Sequence, residues 1–159
     1  MAEDFSNMVK AAEEYCKLIE SSGSGDHDWL ARVFSLLPRL HSAITAQMKQ
    51  NGHVITPLDA NLENRFELFT ELHSLLGERD AYWMEYDMLQ EEEHKSGSLA
   101  DDLTDIYCEL KSGLNQLQQD QDYSRILDNW KYGYQMHWGR HLVDAERHLY
   151  ELSTKNQLL

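Results

Sequence analysis

Apolar residues recur along most of the chain at spacings of three and four, the rhythm of helices that bury one face. Phe5, Met8, Val9, Ala12, Cys16 and Ile19 form the first stripe, which stops at Ser21-Ser22-Gly23-Ser24-Gly25, residues that turn and cap. Asp28 takes the N-cap position of a second helix through Trp29, Val33, Leu36, Leu37, Leu40, Ile44 and Met48, closed by Asn51-Gly52. Pro38 lies inside that pattern and, with no N–H to give to the previous turn, is expected to kink the helix or split it in two. A third helix follows Thr56-Pro57, with Leu62, Phe66, Phe69, Leu72 and Leu76 on its apolar face and Gly77 as its C-cap.

The next stretch, Tyr82 to Asp87, is aromatic and acidic without a clean period, and it runs into Glu91-Glu92-Glu93-His94-Lys95. It reads as an exposed connection. Ser98 opens a fourth helix in a capping-box arrangement with Asp101, and Leu99, Leu103, Ile106, Leu110, Leu114 and Leu117 form its core stripe. A fifth and longest helix starts at Asp122 or Ser124 and extends to about Leu152 by its period, through Ile126, Trp130, Tyr134, Trp138, Leu142, Ala145 and Leu149. No segment alternates as a strand does. The expected fold is all-α: one domain over residues 1–159, a bundle of about five helices.

Composition sharpens this picture. A chain of 159 residues with 42% hydrophobic content can bury a core, which excludes wholesale disorder. Cys16 and Cys108 share no redox or metal spacing and are expected to be reduced, packed thiols. No apolar run is long enough for a membrane span, and Met-Ala-Glu-Asp does not begin a signal peptide, so a cytoplasmic location is expected. The net charge is −14 (28 acidic against 14 basic residues), which repels nucleic acid and suits divalent cations or a basic protein partner.

Two helices carry polar residues whose spacing calls for a reason. On the fifth, His137, His141, Asp144 and His148 fall at i, i+4, i+7 and i+11, within about 60° of one another at 100° per residue, beside the apolar stripe. On the fourth, Asp102, Asp105 and Glu109 line one flank of the leucines. If the two helices are neighbours, imidazoles face carboxylates, the ligand chemistry of Zn, Mn, Fe or Ni. The same ladder can also satisfy itself by hydrogen bonds, and it matches neither the HExxH zinc motif nor the Glu-x-x-His pairs of di-iron bundles. Gly133 and Gly139 inside the fifth helix call for close packing, a kink or a ligand near the backbone. Tyr82 and Trp83 form either a partner patch or a cap on the core. There is no nucleophile elbow and no phosphate loop.

Ser-Leu-Ala-Asp-Asp-Leu-Thr-Asp-Ile-Tyr-Cys-Glu-Leu-Lys (98–111) and His-Trp-Gly-Arg-His-Leu-Val-Asp-Ala-Glu-Arg-His-Leu (137–149) resemble an uncharacterised bacterial family, domain of unknown function 5063. Leu-Leu-Pro-Arg-Leu (36–40) and Tyr-Trp (82–83) are similar to the same family, so the likeness covers most of the chain. The matching positions in the ladder are Asp101, Asp102, Asp105, Tyr107, His137, Trp138, Gly139, His141, Asp144 and His148. Asp87-Met88 stands where the family pattern has Asp-Pro. The resemblance implies a small helical bacterial protein and supplies no activity.

Three functional readings follow, and none assigns a catalytic residue or decides whether the chain is an enzyme. The first is a non-enzymatic interaction or regulatory module, inhibitor- or immunity-like, binding a basic protein through acidic segment 85–109 (nine acids, one base), with Glu91, Glu92, Glu93, Tyr82 and Trp83 as the surface. The alternative is a divalent-metal-binding bundle, with metal-dependent hydrolysis as an activity open to it, on Asp102, Asp105, His137, His141, Asp144 and His148. A third, an all-helical nucleotide pyrophosphatase, lacks its Glu-rich motif pair.

Overall fold

The apolar stripes fold as a helical bundle, seen in a computed structural model that describes residues 2–48, 62–84, 96–120 and 122–159. Its helices are α1 (Ala2–Glu20), α2 (Trp29–Gln47), α3 (Leu62–Leu76), α4 (Leu99–Asp120), α5 (Tyr123–Gly133) and α6 (Gly139–Thr154). Asn51-Gly52, Thr56-Pro57, Asp87-Met88 and the acidic run Glu91-Glu92-Glu93 lie outside the described residues.

Of the kink or split expected at Pro38, the split does not occur: one helix runs through it. Pro38 sits on the exposed side, while Leu36, Leu37, Leu40 and Ile44 are buried on both sides of it, so one core holds both halves. Asp28 occupies the N-cap position of α2 without a side-chain cap bond. Phe66, expected to face inward from α3, is exposed, while Leu72 and Leu76 carry the burial. Gly77 ends α3 at φ +56°, a conformation that suits a residue with no Cβ.

The absence of strands also needs correcting. β1 (Ala81–Trp83) and β2 (Ser96–Ser98) pair antiparallel, with Tyr82 opposite Gly97. A Cβ on Gly97 would lie 2.3 Å from the Tyr82 ring, so this glycine lets the tyrosine lie across the ribbon.

α4 is the central element and packs against α1, α3, α5 and α6. Leu99, Leu103, Ile106 and Leu110 are fully buried, and the Tyr15 hydroxyl of α1 donates to the Leu103 carbonyl at 2.7 Å. Its N-terminus is pinned from a distance. Asp80, buried in the segment before β1, accepts from the Ala100 N–H at 2.6 Å and from Ser98 Oγ, while its own carbonyl accepts from the Leu99 N–H. Ser98 Oγ accepts from the Asp101 N–H at 3.2 Å, as the capping-box spacing predicts.

The expected long fifth helix is interrupted between Gly133 and Gly139, the two glycines whose place inside it called for an explanation. Between α5 and α6, Tyr134–Trp138 forms a π-helical turn, and the Gly139 N–H bonds to the Tyr134 carbonyl. Residues eight apart on a straight α-helix are about 80° out of phase. The wider turn removes most of that offset, so Trp130 and Trp138 are both buried, and the Trp138 indole donates to the Trp130 carbonyl at 3.0 Å. A Cβ on Gly139 would come within 2.3 Å of the Tyr134 carbonyl oxygen, which is why the turn closes on glycine.

Candidate metal centre

α4 and α6 are neighbours, so the carboxylates and imidazoles do meet across one seam. His141 is at its middle. Nδ1 lies 2.7 Å from Asp102 Oδ1 and Nε2 lies 2.9 Å from Asp105 Oδ2. His137, carried on the π turn, touches the His141 ring edge-on with centroids 5.0 Å apart. Its Nδ1 is 3.3 Å from Glu109 Oε1 and its Nε2 is 3.7 Å from Asp105 Oδ2. Both imidazoles therefore present Nδ1 to one carboxylate and Nε2 to the same oxygen of Asp105.

The remaining oxygens are held as well. Arg65 of α3 places Nε 2.7 Å from Asp105 Oδ1 and donates again to Asp101 Oδ1 at 3.0 Å. The Tyr82 hydroxyl donates to Asp102 Oδ2 at 2.5 Å. Asp102 and Asp105 are buried, His141 nearly so, and His137 is half exposed.

Burial sets the protonation pattern together with these bonds. It pushes the Asp102 carboxyl up to about 6, against the pull of the His141 and Tyr82 hydrogen bonds. Burial also acts to raise Asp105, but hydrogen bonds from His141 and Arg65 outweigh it and hold that carboxyl below the ordinary value. For His141 burial opposes the charge, yet its bonds to Asp102 and Asp105 lift it to about 10. At neutral pH the seam thus holds an imidazolium between two carboxylates. Four carboxylates, Asp101, Asp102, Asp105 and Glu109, stand here against two cations, Arg65 and His141, a formal excess of two negative charges.

The six residues expected as metal ligands do not all converge. Asp105, His137 and His141 bring donor atoms within 4.8 Å of one another, and so do Asp101, Asp102 and His141. Asp144 and His148 belong to neither group among the described residues. His148 is drawn away because its Nε2–H donates to the Arg79 carbonyl at 2.6 Å and its ring stacks on Tyr82 at 4.8 Å. Asp144 lines a cavity of about 730 Å³ that opens beside His137 and His141. Of the proposed contact surface, Tyr82 turns inward to Asp102, while Trp83 is 72% exposed.

Arg65 is the residue the pattern did not reveal. It is the lone Lys or Arg on α3, and that isolation is the available signal.

The fold and seam thus define an all-helical bundle with a buried His–Asp network between α4 and α6. Residues 1–155 match the family described as a domain of unknown function (DUF5063), and the chain belongs to it. A solved structure of protein BF1032 from Bacteroides fragilis, a structural-genomics target, is similar in fold, with a TM-score of 0.76 and 21% identity over 94% of this chain and 91% of that one. No curated protein matches. No described helix is long and apolar enough to cross a membrane.

Proposed function

We propose that this protein is a divalent-metal-binding bundle whose centre is Asp105, His137 and His141, with a coordination position open to the cavity. One observation carries the reading. Two imidazoles direct Nε2 at a single carboxylate oxygen while a carboxylate holds each Nδ1, the outer-shell arrangement that fixes tautomer and orientation in metal sites. Bonds of about 2.0–2.1 Å to a tetrahedral ion put neighbouring donors about 3.3 Å apart. The separations of 2.9 and 3.7 Å bracket that edge.

Two histidines and one carboxylate suit Zn²⁺, Fe²⁺ or Mn²⁺ rather than the all-oxygen preferences of Ca²⁺. Three protein ligands with an open fourth position is the pattern of catalytic zinc, where bound water becomes a nucleophile near neutral pH; this supports the metal-dependent hydrolase reading. The excess of two negative charges supports a cation in the seam. Replacing the His141 proton by a divalent ion reduces that excess from two to one.

The test is elemental analysis of protein purified without chelator or affinity metal. One equivalent of metal in wild type, lost in Asp105→Asn, is expected. Metal-free wild type that also takes up none on dialysis against Zn²⁺, Mn²⁺ or Fe²⁺ contradicts the reading. The interaction reading stands second. It rests on the charge of −14 and the exposed Trp83, and binding of a basic protein through this surface would weaken steeply with salt.

A further inference from the structure

Asp105 is gripped from outside the seam by a residue of a third helix. Arg65 lies seven residues before buried Leu72 on α3, so helical period puts both on the face turned to α4. Phe69, between them, packs against the core and fixes the helix there.

The form of the contact differs from that of an ordinary ion pair. The Nε–Nη2 edge of arginine is a planar fork that matches the two oxygens of one carboxylate. Here both nitrogens donate to the same oxygen of Asp105, Oδ1, with Nε at 2.7 Å. Nη2 donates also to Asp101 Oδ1 at 3.0 Å. Oδ2 of Asp105 is left to the imidazoles, 2.9 Å from His141 Nε2 and 3.7 Å from His137 Nε2. One buried carboxylate is thus divided, with one oxygen for the guanidinium and one for the donor set.

We infer that Arg65 is a positioning residue that restricts Asp105 to one-oxygen coordination and so biases the site toward Zn²⁺ over Mn²⁺. The inference rests on the metal reading and deepens it by naming the ion. Four-coordinate zinc takes one carboxylate oxygen at about 2.0–2.2 Å. Harder ions collect more oxygen ligands, and a carboxylate chelating through both oxygens is one way to supply them. For Asp105 to chelate, the two guanidinium bonds at Oδ1 must be given up. The positive charge of Arg65 opposes every cation alike, so the discrimination comes from the geometry of the fork.

The experiment measures Zn²⁺ and Mn²⁺ affinity, and the visible spectrum of the Co²⁺ form, for the full chain as wild type, Arg65→Gln and Arg65→Lys. Four-coordinate Co²⁺ absorbs strongly in the visible and six-coordinate Co²⁺ weakly, which reads geometry apart from stability. Wild type should prefer zinc and give the strong spectrum. Arg65→Gln should weaken zinc by about tenfold to a hundredfold, as loss of a ligand's outer partner does. It should hold Mn²⁺ as wild type does and lose cobalt intensity. Arg65→Lys keeps the charge without the fork, so it should lose part of the preference, and it tests the same point if the Gln variant does not fold. Arg39→Gln, whose partner is Glu14 on the exposed side of α2, should match wild type throughout. An unchanged zinc-to-manganese ratio and cobalt spectrum in the Arg65 variants overturns the positioning role and leaves the metal reading standing. Wild type that takes up none of the three ions overturns both.

Discussion

α6 and its approach carry two imidazole clusters that differ in one respect. At one, His41 of α2 sets Nδ1 2.7 Å from Glu146 Oε1 and Nε2 2.9 Å from the Tyr134 hydroxyl. At the other, about 140° round the helix from Glu146, His141 sets its nitrogens 2.7 and 2.9 Å from Asp102 and Asp105. Both rings are bonded at both ends. Only the second acid of His141 is shared with another imidazole, and the His41 pair is joined by no group of three donors among the described residues. A self-satisfied histidine needs one acid and one hydroxyl, whereas two Nε2 atoms beside one carboxylate oxygen are what the proposed ion would use. The polar ladder therefore has a hydrogen-bonded support, which His41 also has, and the proposed donor set, which His41 lacks.

The contrast is broken most severely at Asp105. Asp105→Asn in chelated protein removes the buried carboxylate shared by Arg65 and the His141 imidazolium, leaving them Asp101 and Asp102 alone, and unfolding free energy should fall by about 3 kcal/mol. Glu146→Gln, at a site about a quarter exposed, should cost under about 1 kcal/mol. Urea titrations of both variants measure this, and equal losses would remove the distinction.

Alkaline pH sharpens it next. The folded His141 pKa of about 10 lies above the unfolded histidine value of about 6.5, so the native state binds more protons in between. Its stabilisation is complete below about 6.5 and is lost as pH rises through 10. Urea stability of chelated wild type should decline over that window relative to His141→Gln. A wild-type slope that matches His141→Gln would contradict the imidazolium. A metal must expel the same proton, so zinc uptake at pH 7–8 should release about one proton, read from the buffer dependence of calorimetric heat.

Single hydroxyls give the smallest effects. Tyr82→Phe withdraws a donor from buried, ionised Asp102 and should cost about 1.5–3 kcal/mol. Tyr134→Phe, which serves the His41 ring and no carboxylate, should cost about 0.5–1.5 kcal/mol. Reversal of that order in thermal or urea unfolding would mean that burial, and not the charge of the partner, sets the difference.

Much of this was legible in the chain. The stripe Leu99, Leu103, Ile106 and Leu110 placed α4, and its carboxylate flank placed Asp102 and Asp105 beside the imidazoles, because helical period fixes which residues share a face. Ser98 and Gly77 marked their helix ends by local backbone chemistry. Legibility failed where partners are remote or period changes. The π turn arises because Trp130 and Trp138 both need the core, a demand that local periodicity does not express. His148 followed its period onto the right face but found the Arg79 carbonyl, from the turn after α3, and the Tyr82 ring, from a ribbon too short to show alternation. Arg65 lies 40 residues from Asp105 in the chain, and nothing local to α3 announces the pairing.

The central claim is most directly tested by thermal unfolding of wild type, His141→Ala and His41→Ala, each stripped with chelator and melted with and without Zn²⁺. Zinc at 100 times its dissociation constant should stabilise wild type and His41→Ala by about 2.7 kcal/mol, since the native state alone offers the formed site. It should leave His141→Ala unmoved. Equal shifts in all three proteins, or none in wild type, would contradict a metal centre at Asp105, His137 and His141.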